Sequence, residues 1–257
     1  MMDLKKSAIG VVLSAGLAVA TVAGAYAQEG EARDLVKRAL DALPKASFTA
    51  KLKLTTPQGV RELELNHKLV NGARSSYMEV IAPPELQGVR FLFLEKLGGA
   101  PEQYMKVAAA KTSVRVADEV RKQPFLSSTF YVADLVEPAV DDFSYKYGGE
   151  PEVVLGRKCM LVESVPKNPD KEVYGKTVYA IDPKDLLILR RQFFDQKGAV
   201  MKVWTVEKVE KIDTFWTIMA QRMSNVQNNE QSRLDVDSVK YNVDLPDVMF
   251  TPKYLLR

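Results

Sequence analysis

The chain has 257 residues, with 36 Lys and Arg against 33 Asp and Glu, one histidine and one cysteine. This near balance leaves no basic footprint for nucleic acid. A single cysteine excludes an intrachain disulfide, and a single histidine excludes a His-rich metal cluster.

The first residues read as a leader rather than as fold. Lys5 and Lys6 precede a small, apolar stretch from Ala8 to Ala23, and Ala25-Tyr26-Ala27 supplies an A-x-A cut site before Gln28. That order is the pattern of a secretory signal peptide. The expected division is therefore 1–27 signal peptide and 28–257 a single exported domain. No later segment is apolar enough to span a bilayer, so no stable membrane span is expected after cleavage.

Residues 31–43 place Leu35, Val36, Ala39, Leu40 and Leu43 at helical spacing, and Pro44 stops the pattern. The period then changes to two. Residues 48–54 and 61–66 alternate apolar and polar around Thr56-Pro57-Gln58-Gly59, which predicts a hairpin. Asn71-Gly72 predicts the next turn. Gly98-Gly99 breaks a continuous apolar run, and Asp182-Pro183-Lys184-Asp185 and Asp195-Gln196-Lys197-Gly198 are tight connections. Residues 152–165 read as one strand. Residues 121–138 interrupt the alternation, with Phe130, Val132, Leu135 and Val136 suggesting a short inserted helical loop. The predicted fold is mainly β: a single curved antiparallel sheet of roughly ten or eleven strands forming an open half barrel. An N-terminal helix and the inserted loop cover its concave face.

Catalytic parts are missing from this pattern. No G-x-S-x-G, Walker A or G-x-G-x-x-G occurs. His67 reads as a solvent-facing strand residue, and Cys159 as a small buried strand residue between Lys158 and Met160. Asp134, Glu137, Asp141 and Asp142 sit beside turns, where acidic side chains satisfy local backbone. No enzyme activity, cofactor or metal is expected.

What remains is apolar surface with too few helices to cover it. A partly filled curved sheet leaves a concavity suited to an acyl chain, at about 0.8 kcal/mol per buried methylene. The candidate lining residues are Leu52, Leu54, Leu63, Leu65, Phe91, Phe93, Met105, Phe130, Met160, Met201 and Trp216.

Several segments resemble the LolA-like outer-membrane lipoprotein-sorting superfamily. They are Tyr104-Met105-Lys106-Val107, Pro124-Phe125-Leu126-Ser127-Ser128-Thr129-Phe130, the run from Lys176 to Pro183, the run from Leu189 to Asp195, and above all 234–255. The family loop around Phe125 reads F-x-G-S-D-F; here Ser127 and Thr129 stand in place of its Gly and Asp. The resemblance implies a periplasmic carrier of lipid or lipoprotein acyl chains, working beside an inner-membrane transporter and an outer-membrane acceptor. The residues leave two other readings open: a periplasmic sensor or adaptor of the same fold that binds proteins without lipid cargo, and a hydrolase using Cys159 or His67.

Overall fold

The computed structural model describes residues 16–96 and 99–257. The expected leader thus lies largely outside the described residues, as does Gly98 of the Gly98-Gly99 break. Helix α1 runs Gly16–Asp41. Its C-terminal half buries Ala32, Leu35, Val36, Ala39 and Leu40, the face that the sequence period predicts.

The strands are β1 (Phe48–Thr56), β2 (Gly59–Val70), β3 (Ala73–Ala82), β4 (Arg90–Lys96), β5 (Gly99–Lys106), β6 (Val114–Arg115) and β7 (Phe143–Tyr147). The second half adds β8 (Glu152–Val154), β9 (Arg157–Pro166), β10 (Lys176–Asp182), β11 (Leu187–Phe194), β12 (Val200–Ile212), β13 (Phe215–Asn225) and β14 (Glu230–Tyr241). All are antiparallel, in the order β6-β5-β4-β3-β2-β1-β14-β13-β12-β11-β10-β9-β7, with β8 also on β9. The sheet does not close.

Fourteen strands among the described residues exceed the ten or eleven expected. Residues 152–165 are two strands, not one, because Leu155 and Gly156 take φ of 51° and 71° and fold β8 back on β9. β6 is too short to show a period. Asn71 and Gly72, at φ 52° and 81°, make the predicted tight turn.

The topology places β1 beside β14 at the middle of the sheet and leaves β6 and β7 as its two edges. These edges are consecutive in sequence. The connection between them, residues 116–142, therefore has to pass from one side of the unclosed barrel to the other. It does so through short 3-10 turns at Asp118–Lys122, Phe125–Ser127, Val132–Leu135 and Val140–Asp142. This is the inserted helical loop, built of 3-10 turns rather than an α-helix.

Register fixes the inner face. Leu52 lies opposite Leu63, Leu63 opposite Val80, Met78 opposite Phe91, and Phe93 opposite Gln103. On the other side, Arg191 lies opposite Tyr179 and Trp204, and Lys202 opposite Phe193. A smaller core covers the outer face of β3 and β4. There the C-terminal segment packs Leu245, Phe250 and Leu255 over Tyr77 and Leu92, with Tyr254 edge-on to Tyr77 at 5.3 Å.

His67 is buried, not solvent-facing. Its ring stacks on Phe48 at 4.9 Å and its Nδ1 is 2.9 Å from Ser76 Oγ. The alternation in β2 points it inward with Leu63 and Leu65. Burial, then the Arg74 guanidinium, lowers its pKa from 6.5 to about 4. Between those values the unfolded chain binds the extra proton, so the neutral ring's contribution to stability is complete above pH 6.5 and lost toward pH 4. Urea titrations across that window should show wild type losing about 3 kcal/mol more than His67→Phe as pH falls. Parallel pH curves for the two proteins would refute the assignment.

Candidate functional site

The connection 116–142 is held to the inner face by polar contacts that each begin with a strand residue facing inward. Lys202 on β12 is fully buried, and its ammonium lies 3.5 Å from Asp134 Oδ2 and 2.8 Å from the Tyr131 ring centroid. Asp134 also accepts hydrogen bonds from the Tyr131 N–H at 2.7 Å and the Tyr174 hydroxyl at 2.8 Å. Burial pushes the Lys202 pKa down to about 8, against the pull of Asp134. Burial, and then the Asp134 charge, drives the Tyr174 phenol far above its ordinary value. On β11, Arg191 Nη2 donates to both Glu137 carboxylate oxygens at 2.8 Å, with its guanidinium 5.2 Å from the Trp204 ring. Asp134 and Glu137 are thus more than turn carboxylates: they fasten the connection.

A third attachment lies at Thr129. Its hydroxyl donates to the Met223 carbonyl at 2.8 Å, and its N–H donates to Ser232 Oγ at 3.0 Å. Met223 and Ser232 are cross-strand partners on β13 and β14. To reach them the chain takes left-handed conformations at Leu126 (φ 49°) and Ser127 (φ 61°). Two successive non-glycine residues there are strained backbone, which persists only where the surroundings enforce it.

Beneath the connection lie two cavities, of about 720 Å³ and about 380 Å³. They share Asp134, Glu137, Arg191 and Phe193 as a common wall. The larger draws on both sheet edges: Gln103 and Arg115 from the β5–β6 side, Phe143, Ser164 and Pro166 from the β7–β9 side. It occupies the seam where the barrel stays open. The smaller lies against the end of α1 and the inner faces of β11 to β14, lined by Leu135, Leu187, Ile188, Ile218, Met223 and Leu234.

The residues proposed from sequence are distributed unevenly around these spaces. Phe130 and Trp216 line the smaller cavity. Leu52, Leu54, Leu63, Phe91 and Phe93 are buried in the main core, and Leu65, Met105 and Met160 pack partly buried against it. Met201 lies on the opposite face from Lys202 and Trp204, because the alternation in β12 runs in the other parity. None of the eleven lines the larger cavity. Gln103, Ser164, Arg191 and Lys202 are the strand residues of the site that are absent from the candidates drawn from sequence. The available signal was parity alone, since polar residues in amphipathic strands ordinarily face water.

Neither reactive-looking group is activated. Burial, then the Asp182 charge, pushes the Cys159 thiol up to about 11, so it is un-ionised at neutral pH. His67 is neutral and away from Cys159, on β2 rather than β9.

A protein-family model described as "Uncharacterized protein" matches residues 72–257. The chain belongs to that family. Its fold is LolA-like. A candidate outer membrane lipoprotein-sorting protein domain from Vibrio parahaemolyticus superposes at TM-score 0.81 and 20% identity, over 89% of this chain and all of the other. A DUF1329 family protein from Desulfovibrio piger gives 0.80 at 21% identity, over 89% and 99%. A LolA superfamily protein from Nitrosomonas europaea gives 0.66 at 16% identity, over 87% and 98%. A search of curated proteins finds no match. Among the described residues no helix is long and apolar enough to cross a membrane.

The Lys202–Asp134 attachment generates an asymmetric expectation. Asp134→Ala leaves a buried ammonium without its counter-ion and should cost about 3–5 kcal/mol in chemical denaturation. Lys202→Met should cost clearly less, because Asp134 keeps its two hydrogen bonds and the new side chain fills the same space against the Tyr131 ring. Equal losses in the two variants would show that the charge pair does not hold the connection as described.

Proposed function

We propose that this protein is an exported periplasmic carrier that holds the acyl chains of a lipid or lipidated protein beneath the 116–142 connection and passes them toward the outer membrane. The observation that carries this reading is the pair of adjoining cavities on the inner face of an unclosed sheet. The larger falls within the roughly 300–1,000 Å³ of small-molecule sites, and the smaller extends it with an apolar wall. Each methylene moved from water onto that wall is worth about 0.8 kcal/mol, so a long chain binds without a precise polar contact. The leader pattern at 1–27 supports export, and one of the similar structures is named for lipoprotein sorting. An inner-membrane transporter as donor and an outer-membrane acceptor complete the proposed route.

The reading is non-catalytic, in line with an un-ionised thiol and a neutral, buried imidazole. An adaptor without cargo needs no such space, so the cavities favour the carrier over it.

Mature protein isolated from bacterial membranes should carry lipid visible by native mass spectrometry, and delipidated protein should bind a fluorescent fatty acid. Filling the smaller cavity with Ile218→Trp and Leu234→Trp should weaken that probe at least about tenfold, since several methylenes lose their site. Undiminished binding by a folded double variant, or wild type that neither carries lipid nor takes the probe, would sink the proposal.

A further inference from the structure

The larger cavity carries a chemical signature that a hydrocarbon tail does not explain. Gln103, 7% exposed, donates its amide N–H to the Val132 carbonyl at 3.4 Å, but its Oε1 has no partner. Ser164, 1% exposed, places its hydroxyl beside the hydroxyl of its cross-strand neighbour Tyr145. Arg191 spends Nη2 on Glu137, while its buried Nε–H has no acceptor. All three line the same cavity. They come from β5, β9 and β11, on opposite sides of the seam. Register aims each inward: Gln103 beside Phe93, Ser164 beside Thr177, and Arg191 between Tyr179 and Trp204.

Buried polar atoms without partners are rare in folded proteins and cost about 1–3 kcal/mol apiece. Two of them on one wall, an acceptor and an N–H donor, with the Ser164 hydroxyl able to serve as either, describe the complement of a polar group with both kinds of site.

Charge narrows that group. The arginines on the wall are each held by a carboxylate: Arg115 by Glu102 at 3.5 Å, Arg121 by Glu172 at 3.3 Å and Arg191 by Glu137 at 2.8 Å. Glu119 and Asp142 add negative charge to the same lining, while Asp134 is paired with Lys202. A phosphate or free carboxylate entering here would meet committed cations and a surplus of acids.

We infer that the larger cavity binds the uncharged, hydrogen-bonding linkage of an amphiphile, its glyceryl ester, amide or hydroxyl groups, while the adjoining apolar cavity takes the tail. The shared wall at Asp134, Glu137, Arg191 and Phe193 puts the two within reach of one ligand. The inference rests on the carrier reading and adds the class of head group to it.

The test compares three probes on the delipidated mature protein, each displacing a bound apolar dye: hexadecane, 1-monopalmitoylglycerol and the anionic 1-palmitoyl-lysophosphatidate. The monoacylglycerol should bind at least about tenfold more tightly than either other probe, as one or two net hydrogen bonds allow. Gln103→Leu and Ser164→Ala should each reduce that preference about threefold to tenfold and leave hexadecane unchanged. Ser164→Ala changes side-chain shape little, and its unchanged hexadecane binding would show that the result does not depend on a damaged fold. Failure of all three probes overturns the carrier reading and this inference together. Hexadecane binding as well as the monoacylglycerol, or both variants weakening all probes alike, overturns the head-group assignment while leaving the carrier intact. A preference for the lysophosphatidate overturns the exclusion of anionic heads.

Discussion

An antiparallel sheet that curves without closing has to do something with its concave apolar face, and here the chain covers it with the segment that joins its own two edges. Because β6 and β7 flank the gap and follow one another in sequence, residues 116–142 have no route except across the opening. They carry too little apolar surface to seal it. Their 3-10 turns are three to five residues long, which is short of the amphipathic stripe that a packed helix would offer. α1 shields the β7–β10 side, and between the two coverings volume is left over.

Polar contacts, more than hydrophobic packing, set where the connection lies. Placing Lys202, Asp134, Arg191 and Glu137 under an apolar sheet costs desolvation that their mutual attraction offsets only in part. Well-packed apolar residues at the same positions would bind the segment as firmly. What charges supply instead is position: a carboxylate within reach of one ammonium and one hydroxyl has few other places to sit. Thr129 works the same way, donating its hydroxyl to one strand and its N–H to the neighbouring strand. The left-handed Leu126 and Ser127 are the local backbone cost of reaching that anchor. A roof positioned by a few polar points and strained between them leaves space where a continuous hydrophobic seam would not.

The alternation of β1 and β2, the turn at Asn71-Gly72 and the helix face from Leu35 to Leu40 were legible because each repeats one physical rule over several residues. The open sheet followed from the same patterns. Other features depend on partners distant in sequence. Lys202 sits in a run where Met201 and Val203 are also plausible inward residues, and only the register against Phe193 and Arg191 decides the parity. His67 looks exposed until Phe48 and Ser76 are placed around it. The two-residue β6 is too short for any period, and the C-terminal covering of Tyr77 and Leu92 contains no repeating pattern. Gln103 could have been placed inward from Phe93 across β4 and β5. That its oxygen lacks a partner becomes visible only when β9 and β11 arrive from the far side of the seam.

The two cavities differ in what holding a ligand asks of them. The apolar one gains in proportion to chain length and discriminates poorly among tails, since every methylene contributes alike. The polar one contributes little total affinity but discriminates strongly, because an ill-matched head leaves buried donors and acceptors unsatisfied. A matching head offers those same groups partners of the right kind. Binding should then stabilise the fold increasingly as free ligand rises above its Kd, and the proposed ligand would act at the wall that includes Asp134 and Arg191, two residues that hold the connection in place. In the proposed carrier, cargo and covering would be coupled through that wall, because a ligand that pairs with Arg191 from below would also steady the partner of Glu137 above it.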